Sequence, residues 1–344
     1  MGVLVCAMAL VPIAAVTELP GEAPVKDLLG VGQTEACGPI VNRGDPGVWR
    51  SEPETPVLRD GPSGAVAGSH AYLVGGIADF DDDGTTADSL PTVERFDFRT
   101  GRYEELPPLP RELNHVTVAA AGRDVYAFGG LGDDFEALDA TGESWRYDDG
   151  GRRWVPIAPM PTPRGGAGAA VIGDRIYVAG GAADRRSLDT LEAYDVKTGQ
   201  WSQLEPMGVE RDHHGVAALD GKLHAVGGRR VEGSPLADHE VYDPATDSWE
   251  GLPDIPEATS GFGLVALDGR LIAAGGEDLP RRVLTGSVWA YDPEAGEWER
   301  LEGMSRPKHG FAMVEHDGRL WAFSGSRCSG FFPVRSVESW RPPA

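Results

Sequence analysis

The sequence repeats one pattern about every fifty residues, and this period constrains the fold more than any other feature of the chain. An aromatic residue is followed, 26 positions later, by the first residue of a Gly-Gly pair, or of a Ser-Gly pair in the last copy. The six copies are Trp49 with Gly75, Tyr103 with Gly129, Trp154 with Gly180, Trp201 with Gly227, Trp249 with Gly275 and Trp298 with Ser324. The fold must therefore contain six similar units.

Each unit has the pattern of four short β-strands. In the clearest unit the run VAAL, the pair Asp220-Gly221 and the run KLHAVGG predict a tight hairpin, because glycine accepts a positive φ without steric cost. A third strand ends in an aromatic residue and an aspartate, as in HEVYD at Asp243, and the next aromatic residue opens a fourth strand. Four strands in each period predict a propeller blade.

Strand, Gly-Gly, Tyr-Asp and Trp at these offsets resemble the kelch-repeat family over roughly residues 49 to 340. The last unit departs from the pattern, with Ser324-Gly325 for Gly-Gly and Trp340-Arg341 for Tyr-Asp, which is typical of a terminal repeat. The resemblance implies an all-β fold, a six-bladed kelch β-propeller. The alternative is another four-stranded repeat of similar length.

The two ends of the chain predict how the ring closes. The last unit stops at Ala344 without a fourth strand, whereas the segment from Trp49 to Val57 is a fourth strand without three strands before it. We therefore predict that residues 47–57 complete the last blade, so that no sheet edge stays open. Residues 47–344 then form one six-bladed propeller.

The first residues predict export. Val3 to Val16 is almost wholly apolar, too short to span a bilayer comfortably, and residues 1–16 have the pattern of a secretory signal peptide. No Lys or Arg precedes Lys26, so the alternatives are a misplaced start codon or a buried strand. We expect a secreted, periplasmic or cell-surface protein that does not span a membrane. Residues 17–46, rich in Gly and Pro, are predicted to be an irregular segment.

The cysteines predict one disulfide. Cys6 falls in the signal segment, and Cys37 and Cys328 then form an even pair beside the closing blade. The alternative is two unrelated buried thiols.

The charge balance narrows the class of partner. A formal charge of −23, from 54 acidic and 31 basic side chains, argues against nucleic acid and anionic membranes as general partners. We expect a soluble monomer.

The kelch resemblance implies that the loop after each Gly-Gly pair and the loop leading into each first strand share one face, where ligands usually bind. Basic residues recur in these loops in units three to six. The predicted ligand-binding residues are Arg164, Arg185, Arg186, Arg211, His213, Arg229, Arg230, Arg281, Arg282, Lys308, His309 and Arg327. Guanidinium groups suit bidentate recognition of carboxylate, sulfate or phosphate. The alternative is that these side chains pair with neighbouring acids as solvated loop charge.

The loops of the first two units are acidic instead. The run from Asp79 to Gly84, with Asp81 and Asp83 at alternate positions, matches the opening of a calcium loop, but its twelfth position is Leu90 rather than Glu. Calcium at Asp79, Asp81 and Asp83 is therefore a hypothesis, against an ordinary acidic loop, and no other cofactor is expected.

No catalytic site is predicted. Glu210 to His214 is the densest titratable cluster, and His214, with His115 in a comparable place, resembles a structural position of kelch repeats. The copper oxidases related to kelch proteins need a tyrosine crosslinked to a cysteine. Neither Cys37 nor Cys328 has an evident partner tyrosine, so copper radical chemistry is rejected. The expected function is a non-catalytic, exported binding module for an acidic glycan or protein. The alternative is a sugar-acid-modifying enzyme, such as a sialic acid mutarotase-like kelch protein, that uses Glu210, Arg211, His213 and His309.

Overall fold

A computed structural model describes residues 37–41, 49–80, 87–134, 137–231 and 233–342. The predicted signal peptide lies outside these residues, as does most of the predicted irregular segment. The secondary-structure elements in the described ranges are all β-strands, so these ranges contain no helix that could cross a membrane.

The strands are short, and most contain five residues. In chain order they are β1 (Ile40–Val41), β2 (Arg50–Glu52), β3 (Ser63–Ala67), β4 (His70–Val74), β5 (Ile77–Phe80), β6 (Ala87–Ser89), β7 (Val93–Asp97), β8 (Arg102–Leu106), β9 (Thr117–Ala121), β10 (Asp124–Phe128), β11 (Ser144–Asp148), β12 (Arg153–Pro156), β13 (Gly168–Ile172), β14 (Arg175–Ala179), β15 (Ala182–Ala183), β16 (Arg186–Ser187), β17 (Leu191–Asp195), β18 (Gln200–Leu204), β19 (Gly215–Leu219), β20 (Lys222–Val226), β21 (His239–Asp243), β22 (Ser248–Leu252), β23 (Gly263–Leu267), β24 (Arg270–Ala274), β25 (Glu277–Asp278), β26 (Val283–Thr285), β27 (Val288–Asp292), β28 (Glu297–Leu301), β29 (Ala312–His316), β30 (Arg319–Phe323) and β31 (Val337–Trp340).

Six antiparallel sheets of four strands form the blades, which confirms the six-bladed propeller. Blade 1 contains β3, β4, β7 and β8; blade 2 contains β9 to β12; blade 3 contains β13, β14, β17 and β18; blade 4 contains β19 to β22; blade 5 contains β23, β24, β27 and β28; and blade 6 contains β29, β30, β31 and β2. The first strand of each blade contacts the first strand of the next around the ring.

Blade 6 is assembled from both ends of the chain, as predicted. Strand β2 pairs antiparallel with β31, and Arg50 lies opposite Ser339. Beside this pairing the indole rings of Trp49 and Trp340 stack with centroids 5.9 Å apart. The closing strand is shorter than predicted, Arg50–Glu52 within residues 47–57.

The recurring aromatic residue joins neighbouring blades. The indole N–H of Trp201 in blade 3 donates to the carbonyl of Ala158, in the segment that leaves blade 2, at 2.9 Å. Equivalent bonds are Trp154 to Pro107, Trp249 to Glu205 and Trp298 to Pro253, and the hydroxyl of Tyr103 donates to Pro53. The repeat period is therefore also a spacing between points of attachment.

The N-terminal segment contains a strand that the sequence did not predict. Strand β1 pairs in parallel with β26, next to the hairpin partner β25. The structure also contains the expected disulfide between Cys37 and Cys328. The expectation of an irregular segment over residues 17–46 missed this strand, because two residues next to Gly and Pro carry no recognisable strand pattern.

Candidate ligand face

Two sets of loops lie together on one face of the ring. The leading loop enters the first strand of each blade, and the glycine loop follows the Gly-Gly pair. A β-bridge joins the two loops in every blade: Asp60 with Ile77, Asn114 with Leu131, Gly165 with Ala182, Asp212 with Arg229, Ser260 with Glu277, and His309 with Ser326. We call the surface formed by these twelve loops the ligand face.

Six residues with positive φ surround the channel mouth at the centre of this face: Gly61, His115, Gly166, His213, Gly261 and Gly310, with φ between 50° and 64°. Backbone hydrogen bonds connect them from blade to blade, for example from Gly61 N–H to Gly310 O at 2.7 Å and from Gly261 N–H to His213 O at 2.8 Å. They line a cavity of about 140 Å³.

Only two positions of this ring carry a side chain. The imidazoles of His115 and His213 meet with centroids 4.7 Å apart in a T-shaped arrangement, and a Cβ on Gly166 would lie 3.4 Å from the ring of His213. His115 is therefore the counterpart of His213, and its suggested equivalence to His214 was wrong. His214 is the following residue, with 7% of its surface exposed, and it packs against Gly180 and Gly228.

Three predicted ligand-binding cations lie inside the blades instead. Arg164 and Arg211 are fully buried, and their guanidinium groups pair with Glu192 at 2.6 Å and Glu240 at 2.5 Å. Lys308 is 1% exposed, and its Nζ donates to the carbonyl and hydroxyl of Ser336. These residues hold the third strand of their own blade, so they cannot form a ligand surface.

The sequence contained a signal for this burial. Where the leading loop carries Arg59, Arg164, Arg211 or Lys308, the third strand carries Glu94, Glu192, Glu240 or Glu338. Where the leading loop carries Leu113 or Thr259, the third strand carries Trp145 or Trp289. A buried charge needs a paired partner, so this co-occurrence marks an interior position.

The burial changes the pKa of these cations. Burial lowers the pKa of Arg164, although Glu192 opposes the shift. For Lys308 burial lowers the pKa to about 8, against the raising effect of Glu338.

A charged network connects the leading and glycine loops of blades 4, 5 and 6. His213 Nδ1–H donates to Asp212 Oδ1 at 2.5 Å, and Arg229 donates to His213 Nε2 at 3.2 Å. Arg229 also reaches Glu277 Oε1 at 3.3 Å, and His309 Nδ1 lies 3.5 Å from the same oxygen. Arg229 and His309 are thus neutralised by Asp212 and Glu277, and the network is not an anion site.

The pKa shifts agree with this pairing. Burial raises the pKa of Glu277, but the charges of His309 and Arg229 together lower it by a larger amount. The pKa of Glu277 therefore lies below its ordinary value. Burial and the Arg229 charge lower the pKa of His213. Burial alone would lower the pKa of His309, yet Glu277 and Asp60 raise it. The pKa of Asp60 shifts in the opposite direction to that of Glu277, because burial raises it to about 6.

The other predicted arginines lie on the outer part of the face. Arg185, Arg186, Arg281 and Arg327 are exposed, whereas Arg230 and Arg282 are half-buried. Arg281 pairs with Asp278 at 2.7 Å, and Arg230 with Glu210 at 3.3 Å. The structure therefore brings exposed arginines from blades 3, 5 and 6 to one rim, but as separate groups.

The predicted calcium loop lies largely outside the described residues, which include Asp79 but not Asp81 or Asp83. Within the described ranges no group of three or more His, Cys, Asp or Glu side chains is placed to hold a metal ion.

The residues of the enzymatic alternative do not form one site. Arg211 lies inside blade 4, Glu210 is exposed and paired with Arg230, and His309 donates through Nε2 to the carbonyls of Cys328 and Gly330. The side chains of His213 and His309 are linked through Arg229 and Glu277 rather than in direct contact with each other.

The sequence matches a kelch-repeat model in a comparison with protein-family models. The model described as the KLHDC2/KLHL20/DRC7 Kelch-repeats domain matches residues 61–276 and 160–325. These overlapping ranges contain most of the six blades.

Curated proteins similar to this chain carry kelch names. Kelch-like protein terF of Aspergillus terreus is 30% identical over 203 residues, which are 54% of this chain and 43% of that protein. Kelch-like protein 40 of Xenopus tropicalis is 30% identical over 180 residues, 52% of this chain and 28% of that protein. Kelch-like protein 9 of Mus musculus is 34% identical over 103 residues, 28% of this chain and 17% of that protein. The matches span less than half of each relative's length.

Proposed function

Because this chain belongs to the kelch-repeat family, we propose that it is an exported interaction module that binds a protein or glycan with acidic groups on its ligand face. Propellers of this family typically act as protein-interaction modules. A rigid ring holds its variable loops in place, and loops on a rigid scaffold commonly carry recognition residues.

The proposal of an acidic ligand rests on one observation, the exposure of Arg186, Arg281 and Arg327 on one rim. The side chain of Arg281 is 79% exposed, so its ion pair with Asp278, whose side chain is 14% exposed, is open to solvent on the arginine side. Such pairs contribute about 0–1 kcal/mol, so an incoming carboxylate or sulfate competes readily for the guanidinium group.

The centre of the face supports contact at the rim rather than in the channel. Arg229 is 12% exposed in its side chain and is already paired with Asp212 and Glu277. An anion placed there would meet two carboxylates, whereas at the outer loops it meets the exposed side chains of Arg186, Arg281 and Arg327.

The disulfide supports the export part of the proposal. Disulfides persist in oxidising compartments and are rare in the cytosol. The bond between Cys37 and Cys328 therefore fits a secreted, periplasmic or cell-surface location.

A pair of charge-reversal variants tests the ligand face. The double variant Arg186→Glu with Arg281→Glu is compared with wild type on arrays of sialylated, uronic and sulfated glycans and on an immobilised polyglutamate peptide. Because charge-assisted hydrogen bonds contribute about 1.5–3 kcal/mol each, binding is expected to weaken about tenfold or more.

The matched control is Arg99→Glu with Arg153→Glu. These arginines lie beside turns between third and fourth strands, on the opposite face, and are 80% and 72% exposed in their side chains. The control changes net charge equally and should bind like wild type. Equal losses in both double variants, or none in either, would contradict the proposed site.

A further inference from the structure

The segment Cys37–Val41 forms a strap across the ligand face. Cys37 is bonded to Cys328 in the glycine loop of blade 6, while Ile40 and Val41 lie opposite Leu284 and Thr285 of β26 in the glycine loop of blade 5. The amide of Leu284 donates to the carbonyl of Pro39 at 3.1 Å. A single short segment therefore occupies the edge of the β25–β26 hairpin.

Among the described residues, few contacts besides the disulfide hold the strap. The pairing with β26 contains two residue pairs, and Ile40 keeps 51% of its surface exposed. Isolated strands of this length are not stable on their own in water. The approach is nevertheless close, since a Cβ on Gly38 would lie 2.1 Å from the carbonyl oxygen of Arg282.

The other side of the disulfide is held independently. Cys328 is 1% exposed, and its carbonyl accepts a hydrogen bond from His309 Nε2–H. The carboxylate of Glu277 accepts bonds from Ser329 Oγ and Gly330 N–H in the same loop. If the bond is broken, the loop of blade 6 therefore keeps its supports, whereas the strap loses its main one.

We propose that Cys37–Val41 is a redox-controlled strap. While the disulfide is intact, the strap covers the edge of β26; after reduction it leaves that edge to an extended peptide of a protein partner. Strand β26 already accepts a parallel strand, which is the geometry of recognition by strand addition. This inference does not depend on the ligand being acidic.

The reductant is a dithiol. One of its thiolates attacks Sγ of Cys37, because Cys37 is half-buried whereas Cys328 is buried. Cys328 then leaves as a thiolate, which takes up a proton. The second thiol of the reductant then displaces Cys37. The dithiol loses two electrons and two protons and becomes a disulfide, and the protein gains two thiols.

Hydrogen exchange on the purified full chain tests the release. The amide of Leu284 is compared in the oxidised protein, after dithiothreitol, and in Cys37→Ser. We expect exchange to become at least tenfold faster in both released forms, while Gly330 N–H, bound to Glu277, keeps its protection. Unchanged protection of Leu284 after reduction is verified by mass would overturn the proposal.

A peptide tests the exposed edge. The probe is a labelled peptide of residues 36–44 carrying Cys37→Ser, and the receptor is the full chain with Cys37→Ser and Gly38→Val, whose own strap cannot approach Arg282. We expect saturable binding that is at least tenfold tighter than to the oxidised wild type. The same peptide with Gly38→Val should not bind, and equal binding of both peptides, or equal binding to both proteins, would refute strand addition.

Discussion

Replacing His214 with phenylalanine is expected to stabilise the propeller. The residue is 7% exposed, and neither ring nitrogen finds a hydrogen-bond partner in the described part of the chain. Phe262 and Phe311 occupy the equivalent position in blades 5 and 6, each lying against the first glycine of the preceding blade, as His214 lies against Gly180. A phenyl ring therefore suits this position.

The expected gain has two parts. An unsatisfied buried polar group costs about 1–3 kcal/mol, so at pH 7 His214→Phe should gain about 1–2 kcal/mol. In addition, burial, followed by the Arg211 charge, lowers the pKa of His214 from 6.5 to about 3. Because the folded pKa is the lower one, the unfolded chain binds the proton more readily, and wild-type stability falls as the pH drops from 6.5 towards 3. Phenylalanine does not titrate, so the advantage should grow by about 1.4 kcal/mol per pH unit, or about 2 kcal/mol at pH 5.

Urea denaturation followed by tryptophan fluorescence at pH 7 and pH 5 measures both parts. The matched control is Phe262→His, which should lose stability at pH 7 and lose more at pH 5. The reasoning fails if His214→Phe is less stable than wild type, or if its advantage is the same at the two pH values.

Three further predictions concern other parts of the ring. Trp201→Phe removes the hydrogen bond to Ala158, whereas the indole N–H of Trp49 has no partner among the described residues. In urea denaturation Trp201→Phe should therefore lower the free energy of unfolding by about 1 kcal/mol more than Trp49→Phe. Equal losses of unfolding free energy would contradict the role of the indole N–H. Arg164→Leu should cost about 3–5 kcal/mol by leaving Glu192 unpaired, and adding Glu192→Trp, which copies the Leu–Trp combination of blade 2, should recover much of it; no recovery would mean that the two positions are not coupled. We propose that millimolar calcium raises the melting temperature and that chelation or Asp83→Asn abolishes this shift. If calorimetric titration with calcium releases or absorbs no heat, the calcium hypothesis is wrong.

The number of blades and the closure of the ring were predictable because they depend on spacing. The 26-residue interval occurs six times and so gives the number of blades, and the missing fourth strand of the last unit is supplied by β2. The disulfide pairing followed from the small number of cysteines.

The chemistry of the ligand face was less predictable. The doubled arginines lie in the glycine loops, but Arg164 and Arg211 look identical to exposed arginines unless each is compared with the third strand of its own blade. The network from His213 through Arg229 and Glu277 to His309 joins three blades. Its contacts depend on how the repeats are arranged around the channel, which no single repeat encodes.

The two-ended assembly of blade 6 has a consequence for synthesis. Trp49 leaves the ribosome long before its stacking partner Trp340 is made. Until then the nascent protein is an open arc with an unpaired strand at each tip, and both tips offer hydrogen-bonding groups to any other chain nearby. Closure of the ring therefore waits for β31, and deleting β31 should do more harm than cutting a surface loop.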